Sequence, residues 1–91
     1  MKVMVVDDEQ DVQFMFQQKF RKEMKAGTIE LHFAFSGEEA LNQLANNGPA
    51  EIVLILADIN MPGMSGLELL RELKQRHALI KVFMITAYND E

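Results

Sequence analysis

The chain has no cysteine among its 91 residues. That excludes a disulfide framework, a thiolate metal site and a thiol nucleophile, and it fits a reducing compartment. Cations are also scarce: nine Lys and Arg stand against 14 Asp and Glu, a net charge of −5. Such a domain has no electrostatic reason of its own to seek nucleic acid or an anionic membrane. Long apolar segments are missing as well. The aliphatic run Ile52 to Ala57 is far too short to span a bilayer. The N-terminus opens directly into "KVMVV", without the longer apolar segment and small-residue cleavage site of a signal peptide. The expectation is a soluble, cytoplasmic domain with no membrane partner. What the chain does have is 48 % hydrophobic residues, which argues for a globular fold rather than a disordered tail. Its length suits one small domain, residues 1–91, with a single core and little stability to spare.

Short apolar runs alternate with longer amphipathic ones. Lys2 to Val6 reads as a strand; after the acidic "DDE", a helical period puts Val12, Met15, Phe16, Phe20 and Met24 on one face until Gly27 stops it. Phe14 lies off that face, as a second contact surface would. "TIELHFAF" alternates Ile29, Leu31, Phe33 and Phe35 against Glu30, His32 and Ala34, the pattern of an edge strand with one wet side. Ser36 and Glu39 have capping-box spacing ahead of Ala40, Leu41 and Leu44, and Gly48 and Pro49 end that helix. "EIVLILA" is continuous and aliphatic, as in a strand covered on both faces. Ser65 and Glu68 repeat the capping box before Leu67, Leu70 and Leu73, with Arg71, Lys74 and Arg76 toward the end where the helix dipole favours cations. "IKVFMITA" reads as a fourth strand. The sum is β-α-β-α-β-α-β, which right-handed crossovers turn into a parallel α/β sheet with helices on both faces.

This topology gathers polar residues at the carboxyl edge, where open α/β sheets bind ligands. Asp7 and Asp8 end the first strand, Asp58 the third and Thr86 the fourth. In the strand order 2-1-3-4 the first and third strands are neighbours and the three aspartates converge. At roughly 5 Å and an effective dielectric of about 20, each carboxylate pair repels by about 3 kcal/mol, so the cluster wants a cation. An all-oxygen donor set favours a hard ion. Mg²⁺ keeps several waters, needs only one or two carboxylates and leaves room for a phosphate oxygen. A carboxylate beside such an ion can attack phosphorus and form an aspartyl-phosphate, with a hydroxyl such as that of Thr86 and nearby backbone N–H groups positioning the phosphoryl group.

Taken singly, these residues have plainer readings. "DD" after a strand is by itself more often a helix start, and Asp58 could simply open a turn with Asn60, Pro62 and Gly63. His32, on the polar side of a strand, and His77, just past a helix, look structural, and the seven methionines, Met15 and Met84 among them, are core fillers rather than ligands. The weight lies in three acids and a threonine falling together at the ends of three strands.

"VVDDE" at Val5 to Glu9, "ADINMPGMSG" at Ala57 to Gly66 and "ITAY" at Ile85 to Tyr88 resemble the receiver domain of bacterial two-component response regulators. The motifs extend over almost the whole chain. The resemblance implies a flavodoxin-like fold, whose strand order is the one given above and therefore not independent of it. It also implies roles: Asp58 as acceptor of a phosphoryl group from a histidine kinase or phosphotransfer protein, Asp8 as a direct Mg²⁺ ligand (Mn²⁺ serving in its place) and Asp7 as a ligand through water. The Asn60 carbonyl would be a further ligand, Thr86 the phosphoryl contact and switch, and the Ala87 N–H a phosphoryl donor. The Pro62–Gly63 turn and Gly66 would shape the neighbouring loop.

Receiver domains continue with a further helix, a strand ending in a lysine that contacts the phosphoryl group, and a last helix, whereas this sequence ends at Glu91. Lys81 lies near the start of the fourth strand, at the wrong edge to substitute. The expectation is an incomplete receiver unit whose apolar fourth strand is open to pairing, as a homo-oligomer or swapped dimer. The leading functional reading is a phosphoacceptor that at most phosphorylates and dephosphorylates itself. The alternative is a truncated or pseudo-receiver serving as an assembly module. A free-standing Mg²⁺-dependent phosphatase or phosphotransferase lacks an evident general acid beside Asp58.

Overall fold

The computed structural model describes residues 1–47 and 52–85. The chain runs β1 (Lys2–Val6), α1 (Gln10–Lys19), α2 (Arg21–Ala26), β2 (Glu30–Ala34), α3 (Gly37–Asn47), β3 (Ile52–Asp58), α4 (Gly66–Arg76) and β4 (Lys81–Ile85). The strands form one parallel sheet in the order β2-β1-β3-β4, as the crossover argument requires. The central strands are registered Val6 to Ala57, and β3 continues alongside β4 until Asp58 pairs with Ile85. The register therefore leaves Asp7, Asp8 and Asp58 at one rim. Lys81 pairs with Leu54, at the far end of the sheet from Asp58, so it cannot reach that aspartate.

Two apolar layers hold the sheet. On one face Met4, Val6, Ile55 and Ala57 meet Leu44 of α3 and Leu69 and Leu73 of α4. On the other, Val5 meets Val12 and Phe16 of α1, with Phe33, Leu56 and Ile85 against them. Burying side chains of this size contributes about 1.5–3 kcal/mol each relative to exposure. Among the described residues only α1 covers this second face closely, so Leu54 and Leu56 are half-buried and Phe83 is 60 % exposed. The third strand is thus sealed on one side and only partly covered on the other, in contrast to what its unbroken aliphatic run suggests. Val53, 44 % exposed, sits where the β1–β3 register slips by one residue.

The first helical segment also departs from its simple period. A break at Phe20 separates α1 from α2, although Phe20 N still donates to the Phe16 carbonyl at 3.0 Å. The stripe is narrower than the spacing suggests: Val12 and Phe16 are buried, whereas Met15 and Met24 are 45 % and 37 % exposed and α2 buries nothing. Met15 is accordingly a surface residue and not a core filler. Gly27 ends α2 in the left-handed region at φ 80°, the conformation for which glycine is favoured at a helix C-terminus. In β2 the supposedly wet side is partly closed, because Ala34 lies under α3 with no exposure and Gln43 donates to the Phe33 carbonyl at 2.9 Å. Among the described residues, no helix is long and apolar enough to cross a membrane.

Candidate functional site

The two inner strands deliver the acids. Val3 to Val6 are almost wholly buried, so β1 is rigid to its end, and Asp7 follows with no solvent exposure. Its N–H donates to the Ala34 carbonyl at 3.0 Å, and its Oδ1 accepts from Glu9 N–H at 2.9 Å. Asp8 is exposed and Asp58 half-buried. One carboxylate oxygen from each of Asp7, Asp8 and Asp58 lies within 4.8 Å of the others, a spacing that a single hard cation can bridge.

Asp58 records the electrostatic cost of that convergence. Burial pushes its carboxyl above the ordinary 3.8, and the charges of Asp7 and Asp8 push the same way, while N–H groups of Asn60 and Ile59 oppose the rise. Asn60 N–H donates to Asp58 Oδ1 at 3.2 Å. Three converging carboxylates, with the Asp58 pKa raised above its ordinary value, make a donor set that fits a divalent ion. Asp7, Asp8, Asp58 and the Asn60 carbonyl could hold it.

The β3–α4 loop starts beneath this cluster. Met61 is buried in the core, Gly63 takes φ 74°, and α4 opens with the full capping box: Ser65 Oγ accepts from Glu68 N–H at 3.1 Å and Glu68 Oε1 from Ser65 N–H at 2.9 Å. The loop also touches α3, a neighbour that the sequence pattern does not connect with the site. A Cβ built on Gly37 would lie 2.8 Å from Met64 Sδ, and one on Gly63 would lie 3.4 Å from the Glu38 carboxylate. Neither approach leaves a periodic trace that could have been read from the sequence. The remaining two expected site residues, Thr86 and Ala87, lie outside the described residues.

Comparison with known proteins agrees with the fold. The family model described as the response regulator receiver domain matches residues 3–91. The chain is 39 % identical over 88 residues to the DNA-binding transcriptional regulator NtrC of Escherichia coli strain K12, covering 97 % of this chain but 17 % of that protein. It is 30 % identical to sporulation initiation phosphotransferase F of Bacillus subtilis strain 168, covering 98 % of this chain and 66 % of the relative. Among solved structures it is similar to the response regulator protein TrrA of Thermotoga maritima, crystallised in complex with Mg²⁺-BeF. There the TM-score is 0.80 at 33 % identity, covering 97 % of this chain and 70 % of that one.

Proposed function

The chain belongs to the response regulator receiver domain family of two-component systems, and from that premise we propose that Asp58 is its phosphoacceptor, taking the phosphoryl group from a phosphohistidine of a histidine kinase or phosphotransfer protein. The observation that carries the reading is the convergence of three carboxylate oxygens within 4.8 Å at the carboxyl rim of the sheet. In the reaction an Asp58 carboxylate oxygen attacks phosphorus in line as the N–P bond of the donor breaks. The bonding pair passes to the imidazole nitrogen, which takes up a proton, and an acyl phosphate remains on Asp58.

Asp8 and Asp7, with the Asn60 carbonyl, would hold the metal, Asp8 as a direct ligand and Asp7 through water. When bound, Mg²⁺ or Mn²⁺ supplies positive charge against the equatorial phosphoryl oxygens. Asp58 is held for attack by its place at the end of β3 and by the Asn60 N–H on Oδ1. Thr86 and Ala87 complete the reading as phosphoryl contacts, Thr86 doubling as the switch. The activity is self-phosphorylation and self-dephosphorylation, without turnover on an external substrate, in the cytoplasm where such kinases present their phosphohistidines. Residues 1–91 act as one receiver unit.

The test is to add Mg²⁺ with a small phosphodonor or beryllium fluoride and follow Asp58 by mass spectrometry and NMR. An adduct at Asp58 that disappears in Asp58→Asn is expected. No adduct, together with no Mg²⁺-dependent shift at Asp7, Asp8 or Asn60, would remove the reading.

A second reading, an assembly module built on a receiver scaffold, draws on one specific observation: among the described residues β4 is an edge strand with Phe83 60 % exposed. It takes a second copy of the chain through edge pairing or exchange of elements. Light scattering at high micromolar concentration tests it, and a monodisperse monomer counts against it.

A further inference from the structure

The start of α4 and the end of β3 approach more closely than any side chain at residue 66 would allow. Gly66 is buried, and its N–H donates to the Ile59 carbonyl at 2.9 Å. A Cβ there would overlap the Asp58 carbonyl oxygen and stand 2.9 Å from both the Asp58 carbonyl carbon and Ile59 Cα. The positive-φ glycines among the described residues are Gly27 and Gly63. Residue 66 is therefore glycine for space and not for backbone conformation.

Neither wall of this contact can give way cheaply. The helix is seated in the core by Leu69 and Leu73, 0 % and 1 % exposed, and its first turn is pinned by the Ser65–Glu68 capping box. The strand is held between β1 and β4, and beyond its end Ile59 N–H donates to the Ile85 carbonyl at 3.3 Å. Gly37 differs. The three atoms nearest its missing Cβ all belong to the Met64 side chain, Sδ at 2.8 Å, Cγ at 3.0 Å and Cβ at 3.2 Å; the first two can swing aside, and only a few tenths of an ångström remain to be taken up at Cβ.

We propose that Gly66 is a positioning residue for Asp58: the bare first turn of α4 is the stop on which the Asp58–Ile59 peptide is seated, and it sets where the Asp58 carboxylate stands relative to Asp7 and Asp8. The functional meaning rests on the reading of Asp58 as phosphoacceptor; the geometric content does not. A methyl group at position 66 pushes the peptide toward the acids or away from them, and the metal site loses its spacing before the core loses its packing.

The experiment compares Gly66→Ala with Gly37→Ala, two additions of one carbon beside the same loop, using amide NMR of the metal-free chain and a titration with Mg²⁺ alone. In Gly66→Ala the amide resonances of Ile59 and Asn60 are expected to move although both are remote from residue 66 in sequence, and Mg²⁺ affinity to fall roughly tenfold or more, the usual effect of losing an outer-shell support. In Gly37→Ala both amides stay in place and Mg²⁺ affinity is unchanged, even where the melting temperature drops. Ser65→Ala, which loosens the same first turn without adding atoms, moves both amides in a smaller degree and serves if Gly66→Ala does not fold. Unmoved Ile59 and Asn60 resonances in a folded Gly66→Ala, equal effects of Gly37→Ala, or unmoved resonances in Ser65→Ala where Gly66→Ala does not fold overturn the proposal. If the unaltered chain itself binds no Mg²⁺, the phosphoacceptor reading fails, while the metal-free amide positions still decide the role of Gly66.

Discussion

Replacing Asp58 by asparagine should make the metal-free protein more stable, not less. With carboxylate oxygens of Asp7, Asp8 and Asp58 within 4.8 Å of one another, each ionised pair repels by about 3.5 kcal/mol at an effective dielectric of about 20. Asp8 is exposed, which brings its share down toward about 1 kcal/mol, whereas Asp7 is fully buried and keeps more. Asparagine removes the charge, preserves the shape and still offers an oxygen to Asn60 N–H. Weakening of the N–H bonds from Asn60 and Ile59, which favour the charged carboxylate, offsets part of this, so the net gain is about 1 kcal/mol, or about 5 °C in melting temperature for a chain of this size. Thermal unfolding followed by far-UV circular dichroism at pH 7, low salt and with chelator measures it. Added Mg²⁺ should then stabilise the unaltered chain by about 1.4 kcal/mol at ten times its dissociation constant, and have little effect on Asp58→Asn. The pH dependence has a definite sign. A carboxyl whose folded-state pKa is raised above its ordinary value of 3.8 binds its proton more tightly when folded. Its contribution to stability is therefore fully present below that ordinary value and is lost as pH rises through the raised folded pKa. Without metal, Asp58→Asn should overtake the unaltered chain in that same interval. A melting temperature of Asp58→Asn at or below that of the unaltered chain at pH 7 in chelator, or an equal response of both to Mg²⁺, refutes the reasoning.

Three other outcomes follow from the packing. Leu69→Ala, at a site with no exposure, should cost about 3 kcal/mol, seen as a lower urea midpoint with unchanged slope. Gly27→Ala meets no atom within 4 Å but must hold φ 80°, so it should cost about 1 kcal/mol through backbone conformation alone, with Gly27→Asn costing less. Phe83→Glu, on the partly uncovered face near the sheet edge, should leave the unfolding free energy within about 0.5 kcal/mol of that of the unaltered chain while lowering the apparent mass by light scattering if the chain self-associates through β4.

Much of this arrangement is legible in the residues because it is periodic or local. The strand of alternating residues at the rim, the aliphatic strand beside β1 and the Ser65–Glu68 box each follow from spacing within a few residues, and strand order then brings Asp7, Asp8 and Asp58 together. What escapes is tertiary. The exposure of Met15 and Met24 depends on how little of the sheet α1 and α2 cover, which no helical period encodes. The closure over Ala34 depends on α3 lying across β2. The approach of Gly66 to the Asp58 carbonyl joins two segments whose separation is fixed by how deeply Leu69 and Leu73 sit in the core. A glycine in the sequence signals freedom; only the fold distinguishes the one that turns, Gly63, from the one that makes room.

The central place of β1 also bears on the order of events at the ribosome. β1 is the first strand to emerge, yet both of its neighbours are made later, and parallel pairing cannot begin until a whole crossover has been synthesised. Asp7 reaches its Ala34 partner only once β2 exists, and Asp58 joins the acids only after β3 has docked on β1's other side. The nascent chain therefore carries a buried-to-be aspartate and four apolar residues without a home until β2 and then β3 have emerged. The cation-binding geometry is acquired only when β3 docks on β1, and its appearance would time the closing of the sheet's centre.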